Sequence, residues 1–505
     1  MKKIFIYPNK NQINEIEKLF LDAIVITKEN AFSINLSSIN GKAKDYKIIC
    51  CNEEALYYAK SFISESVNMD FNKECLELYD KKKSDILFEK YNIPHIKKSN
   101  TPISFPTIAK PNFGFASIGV EELEDREQFA KYTEKINDII ENSPVGALKN
   151  LYFKNLTIEP VYERKINDGY FYSVPFIYDK NDDDVIIFPI KGINKIKNNY
   201  SNFFWKTFLY DEQHINKDIY NLIKKELLNL SHNLLINTSV NMAEIFYDIE
   251  TDKVLIVEFS PRIPGGKLSD LIYCGCGIDL NLLSIKFQTD SIVDIKKICK
   301  PVILDICTNI NKLPLKYIKT EKTYSKIFNQ NIVYVISTYQ YKNIGLIPGR
   351  FAPLHKGHQI MFDKAKKEMD EVIILIFNTN DINVPLNVRA DWIRKLYPEF
   401  IVVEGKNCPD GKKYAYELGQ KCAYYQNKYI KNIIQQYNIT HLYHSVTYGK
   451  SVSKALDAVE IMVDLDRNQI PISGTMIRNN CEMYKDYLDE YVYKEYKKYI
   501  EKEKK

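Results

Sequence analysis

At 505 residues the chain is longer than one hydrophobic core organises, so two or three domains are expected. Hydrophobic residues make up 45% and charged residues 27%, as in ordinary globular proteins, and 37 Tyr supply most of the 13% aromatic share, as a coding bias would. The net charge of +5 is spread along the chain without a clustered basic stripe, which argues against a nucleic-acid surface and for small anionic ligands.

Ten Cys occur without a C-x-x-C pair, and Cys50–Cys51 and Cys274-x-Cys276 read as small buried hydrophobes rather than bridges or metal ligands. A reducing compartment follows. No apolar run approaches membrane-spanning length, and the first eight residues read as a strand rather than a signal peptide. The expectation is a cytoplasmic protein without a membrane partner; an assembly of identical copies is left open.

In chain order, residues 1–75 alternate apolar runs at 4–7, 23–26 and 46–50 with helix-like stretches at 13–21 and 53–63, the signature of a small parallel α/β domain. From 76 to 312 the runs at 107–110, 169–178, 185–190, 242–246 and 253–259 are strand-like. Asp80-Lys81 opens a helix leading to Ile93-Pro94. A strand then ends at Lys110 and is followed by a Gly/Ser turn over 114–120 that includes Ser117. That order places a fixed cation and several N–H donors over a triphosphate. Glu159-Pro160-Val161 precedes the next β-run. The stretches around Glu244 and around Glu258-Phe259-Ser260-Pro261-Arg262 read as neighbouring strands of a hairpin. Carboxylates facing each other on such strands can share a hard cation.

This ordered series resembles the ATP-grasp ligases over about residues 1–312. The tail Ile263-Pro264-Gly265-Gly266 with Gly277-Ile278-Asp279-Leu280 is most similar to their amino-acid-ligase and carbamoyl-phosphate-synthase-like branches. The resemblance implies a pre-ATP-grasp domain over 1–75 and an ATP-grasp domain over 76–312. In that family a carboxylate attacks the γ-phosphate of ATP, and an amine captures the acyl phosphate. By resemblance Lys81, Lys110 and the Ser117 turn hold phosphates, and Glu159 and Val161 border the adenine. Glu244 and Glu258 bind Mg²⁺, or Mn²⁺ in its place, and Arg262 steadies the acyl phosphate. Ser260 stands where the family has Asn and can still ligate the ion. A scaffold or ATP-sensing role is the alternative for this half.

Residues 313–342 read as a connection containing one strand at 332–337. From 343 to 505 the βα alternation restarts, with strands at 344–347, 371–378 and 400–404, helices at 357–369 and 388–396, and final helices over 475–502. Gly349-Arg350-Phe351-Ala352-Pro353-Leu354-His355-Lys356-Gly357-His358 follows a strand and opens a helix. Its two His, three apart, share a face of the first turn, where free N–H groups and the helix dipole attract phosphate. Gly349 and Gly357 read as clearance for a ligand. The partner stretch Ile472-Ser473-Gly474-Thr475-Met476-Ile477-Arg478 offers two hydroxyls and a guanidinium fork to the same phosphates.

The motif pair is similar to that of the nicotinamide-mononucleotide adenylyltransferases, particularly the archaeal and NadR-like types. Val384-Pro385-Leu386 with Arg389 and Trp392, and Val463-Asp464 with Arg467, extend the match. The resemblance implies a Rossmann-like doubly wound domain in which a phosphomonoester attacks the α-phosphate of ATP and releases pyrophosphate. His355, His358 and Arg478 are the expected catalytic residues, with Gly349, Arg350, Phe351, Gly357, Ser473 and Thr475 around the nucleotide. Gly265-Gly266-Lys267-Leu268-Ser269 does not meet P-loop spacing, so no kinase domain is expected. The whole reads as a bifunctional enzyme acting on a small-molecule carboxylate, an amine and a phosphomonoester. The alternatives are a nucleotidyltransferase for another phosphorylated metabolite, or a nucleotide-sensing regulator.

Overall fold

The computed structural model describes residues 1–31, 45–62, 68–114, 118–166, 168–192, 205–209, 215–265, 267–289, 295, 300, 302–307, 318–325, 330–338, 342–378, 384–409, 422–446 and 449–503. The chain forms two compact units, one of Met1–Asp211 with Asn221–Tyr339 and one of Glu212–Tyr220 with Gln340–Lys505.

The first unit begins with a parallel sheet in the order Ile24–Ile26, Lys2–Ile6, Tyr46–Cys50, Asn68–Met69. Its central strand buries Ile4, Phe5 and Ile6 on both faces, as a strand covered on both sides must. A second layer holds four antiparallel strands, Lys98–Ser99, Pro160–Arg164, Thr107–Pro111 and Glu121–Leu123. Beside it runs helix Arg126–Glu141, which Asp125 caps and whose Tyr132, Ile136 and Ile140 form a buried stripe at four-residue spacing. The third part is a large antiparallel sheet built around Gly169–Asp179, which pairs with Ser239–Asp248. Ser239–Asp248 in turn pairs with Lys253–Ser260.

The strand expected at 332–337 runs over Gln330–Thr338, but the stretch read as a connection also carries Lys319–Ser325, and the two antiparallel strands join the large sheet through Val302–Cys307. Lys319-Thr-Glu-Lys-Thr-Tyr-Ser is polar at nearly every position, as suits a sheet edge, and so shows no apolar alternation. Cys276 is disulfide-bonded, against the expectation of a buried thiol, whereas Cys274 is free. Among the described residues no single helix is long and apolar enough to cross a membrane.

The second unit is a five-stranded parallel sheet in the order Ile401–Gly405, Glu371–Phe377, Ile344–Gly349, His441–His444, Val459–Met462. The chain winds outward from Ile344–Gly349 first to one side and then to the other. The reversal therefore falls between that strand and His441–His444, and in sheets of this kind ligands bind beyond the carboxyl ends of the two strands at such a reversal. Helix Lys356–Glu368 buries Met361, Phe362 and Ala365 against the sheet. Trp392 is fully buried in the same core, edge-on to Tyr496 at 6.3 Å, so it packs rather than stacks on a ligand.

Candidate active site

The first motif leaves the carboxyl end of Ile344–Gly349 at the switch point. His355 is the N-cap of helix Lys356–Glu368, and His358 sits in its first turn. Their rings stack with centroids 3.7 Å apart at 19°. Phe351 meets His358 edge-on at 5.0 Å and fixes its tilt. The His355 backbone N–H donates to His358 Nδ1 at 3.4 Å, which leaves Nε2 as the protonated nitrogen of that ring. His355 Nδ1 is buried without a hydrogen-bond partner. A buried polar atom of this kind is costly unless a ligand completes it.

Burial lowers both imidazoles. His355 falls from 6.5 to about 4, with the nearby Arg467 charge adding to the effect. His358 is pushed well below its ordinary value by burial first, then by His355 and Arg467. Both rings are therefore neutral near pH 7, and the exposed Arg467 supplies positive charge beside them. In the sequence Arg467 stands out only as part of a matching stretch.

Glycine earns its place here by packing. A Cβ on Gly349 would lie 2.6 Å from Phe351 Cζ, and one on Gly357 would lie 3.1 Å from His355 Nδ1. In this structure the space each glycine clears is filled by an aromatic or imidazole ring, not left for a ligand. Phe351 itself takes a left-handed φ of 45°, which turns its ring back over Gly349. Arg350 is exposed at the lip.

The second motif touches the first. Arg478 donates from Nη1 to the Ala352 carbonyl at 2.7 Å and from Nη2 to Thr475 Oγ1 at 3.1 Å. Ser473 Oγ accepts from the Met476 N–H at 3.2 Å and so starts the short helix Gly474–Asn479. Gly474 lies against Ala352, and Ile472 against Gly357. The guanidinium and the histidine pair thus share one short loop. Beneath it Arg389, buried to 1% exposure, donates to the carbonyls of Val384 (3.0 Å), Phe377 (3.1 Å) and Arg350. One side chain ties the ends of two strands to the start of the next helix. Burial lowers its guanidinium to about 10, with Arg350 contributing.

The family model described as cytidylyltransferase-like matches residues 346–480. The matched segment contains both motifs and the whole of the parallel sheet except its first two residues. No curated protein matches the chain.

In the first unit the expected residues form two clusters. Lys110 pairs with buried Glu163 at 2.6 Å, and Lys81 donates to the Gly114 carbonyl at 3.1 Å. Lys98, which no motif marked, lies in the field of both lysines and of Glu163, and burial lowers its ammonium. Three cations therefore line one patch. Glu159 pairs with Lys82, and its backbone N–H donates to Asn112 at 2.9 Å, whereas the Val161 side chain is fully buried. Ser117 lies outside the described residues.

Glu244 and Glu258 stand directly opposite each other across the hairpin, beside a bulge. Ser260 donates to Glu53 at 3.4 Å, and Arg262 pairs with Glu53 while donating to the Ile263 carbonyl at 2.8 Å. Burial raises the buried Tyr57 hydroxyl well above its ordinary value, and the carboxylates of Glu53 and Glu258 push it further. Glu244 and Glu258 thus share one face of the hairpin with Ser260 two residues along, donors of the all-oxygen kind that Mg²⁺ takes, while Glu53 is held by Ser260 and Arg262. Glu53 comes from the start of helix Glu53–Phe62 and had no sequence signal beyond its place at a helix N-terminus.

Solved structures similar to the chain include the biotin carboxylase domain of 2-oxoglutarate carboxylase from Hydrogenobacter thermophilus, in complex with MgADP and bicarbonate. It is 12% identical over 67% of this chain and 86% of that chain, with a TM-score of 0.47. L-amino acid ligase from Bacillus licheniformis is 13% identical over 73% and 97%, with a TM-score of 0.48. N5-carboxyaminoimidazole synthase from Aspergillus clavatus is 12% identical over 67% and 93%, with a TM-score of 0.43.

Proposed function

We propose that the chain is a bifunctional ATP-dependent enzyme. Its cytidylyltransferase-like domain transfers a nucleotidyl group, AMP from ATP, to a small phosphomonoester. The reading rests above all on one observation: Arg478 is hydrogen-bonded to the loop that carries the stacked His355–His358 pair. An acceptor phosphate oxygen attacks the α-phosphorus, the bond to the oxygen bridging the α- and β-phosphates breaks, and pyrophosphate leaves. His358 Nε2–H and the Arg478 fork meet the charge that builds on the leaving oxygens, and Arg467 adds a long-range cation. Neutral imidazoles suit this role because they donate without first having to be protonated. The acceptor proposed is nicotinate or nicotinamide mononucleotide.

The first unit is proposed to ligate a carboxylate to an amine through an acyl phosphate, with Lys81, Lys98 and Lys110 around the polyphosphate of ATP. Glu244, Glu258 and Ser260 would hold Mg²⁺, which neutralises phosphate charge. Glu53 orients Arg262 toward the acyl phosphate. A substrate bearing both a carboxylate and a phosphomonoester, such as nicotinate mononucleotide, would serve both halves.

The test is to incubate the purified chain with ATP or CTP and a panel of phosphomonoesters that includes both mononucleotides, following pyrophosphate and the dinucleotide by chromatography. Dinucleotide formed from ATP and a pyridine mononucleotide supports the full reading. Pyrophosphate with another acceptor, or from CTP alone, moves the substrate assignment, and no pyrophosphate with any acceptor removes the transferase.

A further inference from the structure

Away from both clusters, three potential metal ligands converge on one edge of the first unit. Asp85 and Glu89 are four apart on helix Lys81–Lys90, and so share a face. His95 lies in the loop that follows. One ligand atom from each of the three lies within 4.8 Å of the others.

The histidine is the decisive ligand. Its side chain is only 4% exposed and packs against the Phe88 ring at 5.5 Å. His95 Nδ1 is 2.7 Å from the Ile93 carbonyl, and a carbonyl can only accept, so Nδ1 holds the proton. In the neutral ring Nε2 therefore presents a lone pair. It is buried, has no hydrogen-bond partner, and lies 3.1 Å from Asp85 Oδ1. Two acceptors facing each other at that distance repel. A proton on Nε2 would turn the contact into an ion pair, though one not aligned as a hydrogen bond; a cation bonded to both atoms removes the repulsion without that proton. Ligand atoms about 2.0–2.1 Å from a tetrahedral zinc ion are roughly 3.3 Å apart, close to the separation observed. An imidazole that donates its other N–H to a backbone carbonyl is also the usual arrangement around such an ion.

We infer that Asp85, Glu89 and His95 form a binding site for a divalent transition cation of the zinc class, with three protein ligands and a fourth position open to water. Glu89, half-exposed, now pairs with Lys97 at 2.9 Å and exchanges that partner for the ion. The Lys98 N–H donates to Asp85 Oδ1 at 3.0 Å and steadies this ligand. The loop bearing His95 is strapped to strand Lys253–Ser260: Ile256 N–H donates to Pro94 at 2.8 Å and Ile96 N–H to Ile256 at 3.1 Å. The ion would therefore tie the helix that begins with Lys81 to the strand that carries Glu258. The imidazole makes this a different site from the all-oxygen set at Glu244 and Glu258, and the inference does not depend on what the chain catalyses.

The full-length chain, stripped with EDTA, would be titrated with Co²⁺ and then Zn²⁺ without nucleotide. The expected result is one Co²⁺ with a visible absorption band, displaced by Zn²⁺ but not by equimolar Mg²⁺. His95→Gln should weaken Zn²⁺ binding on the order of 100-fold and abolish the band, while Glu89→Gln, at the surface and without risk to folding, should weaken it about tenfold. Glu258→Gln should leave it unchanged. Absence of saturable Co²⁺ or Zn²⁺ binding overturns the site, as does binding equal in the wild type, His95→Gln and Glu89→Gln.

Discussion

Acidification should weaken the second unit selectively through His355. In the folded chain this imidazole titrates near 4 because it is buried beside the stacked His358 ring and feels the Arg467 charge. In the unfolded chain it returns to about 6.5. The folded value is the lower one, so between the two the unfolded state binds more protons. The stability contribution is complete above pH 6.5 and is lost as the pH falls toward 4. Linkage over that window amounts to about 3 kcal/mol in full, and to about 2 kcal/mol between pH 7 and pH 5. His358 shifts in the same direction and adds to the loss. The chain has two Trp, so Trp205→Phe leaves Trp392, deep in the core of the second unit, as the reporter. Urea unfolding followed by its fluorescence at pH 7 and pH 5 would compare this background with the same protein carrying His355→Asn. The parent should lose about 2 kcal/mol more than the variant over that interval. Parallel losses in the two proteins would refute the assignment of a buried, neutral His355.

Inorganic tripolyphosphate should bind more tightly at pH 5.5 than at pH 7.5, because an anion beside His355 and His358 favours their charged forms; calorimetry showing the opposite slope contradicts the site. Arg389→Met removes three hydrogen bonds to the Val384, Phe377 and Arg350 carbonyls and should cost the second unit about 3 kcal/mol or more, measured by the same fluorescence unfolding. Gly349→Ala drives a methyl group into the Phe351 ring. It should destabilise the unit by about 1–3 kcal/mol and slow pyrophosphate release, whereas wild-type behaviour would show that the ring moves freely.

What could be read from the residues alone follows how local each feature is. The His355–His358 pair and the Ser473–Arg478 stretch are short continuous segments whose chemistry and helix-opening position are visible in one dimension. Their contact through Ala352 is visible only once the parallel sheet brings the two loops to its switch point. Arg389 is visible only as part of a stretch that extends the resemblance, Lys98 works from a segment whose spacing carries no chemical pattern, and Glu53 enters its cluster from a different layer of the first unit. Strand Lys319–Ser325 escaped for the opposite reason, since an edge strand with polar side chains lacks the alternation that marks a half-buried one. Gly349 and Gly357 were legible as special positions, but not for the reason that applies. The rings of Phe351 and His355 take the space, and only coordinates reveal a collision with a side chain that lies near in space.

The proposed grip of the histidine pair and Arg478 on one polyphosphate, beside a separate site in the first unit that consumes ATP at another bond, is tested most directly by partitioning the products of ATP turnover in the wild type, His358→Ala and Arg478→Ala, with a pyridine mononucleotide as acceptor. Each substitution should lower pyrophosphate release about 10²–10³-fold while ADP formation by the first unit stays at the wild-type rate. Pyrophosphate release unchanged in either variant, or lost in step with ADP formation, would contradict the account.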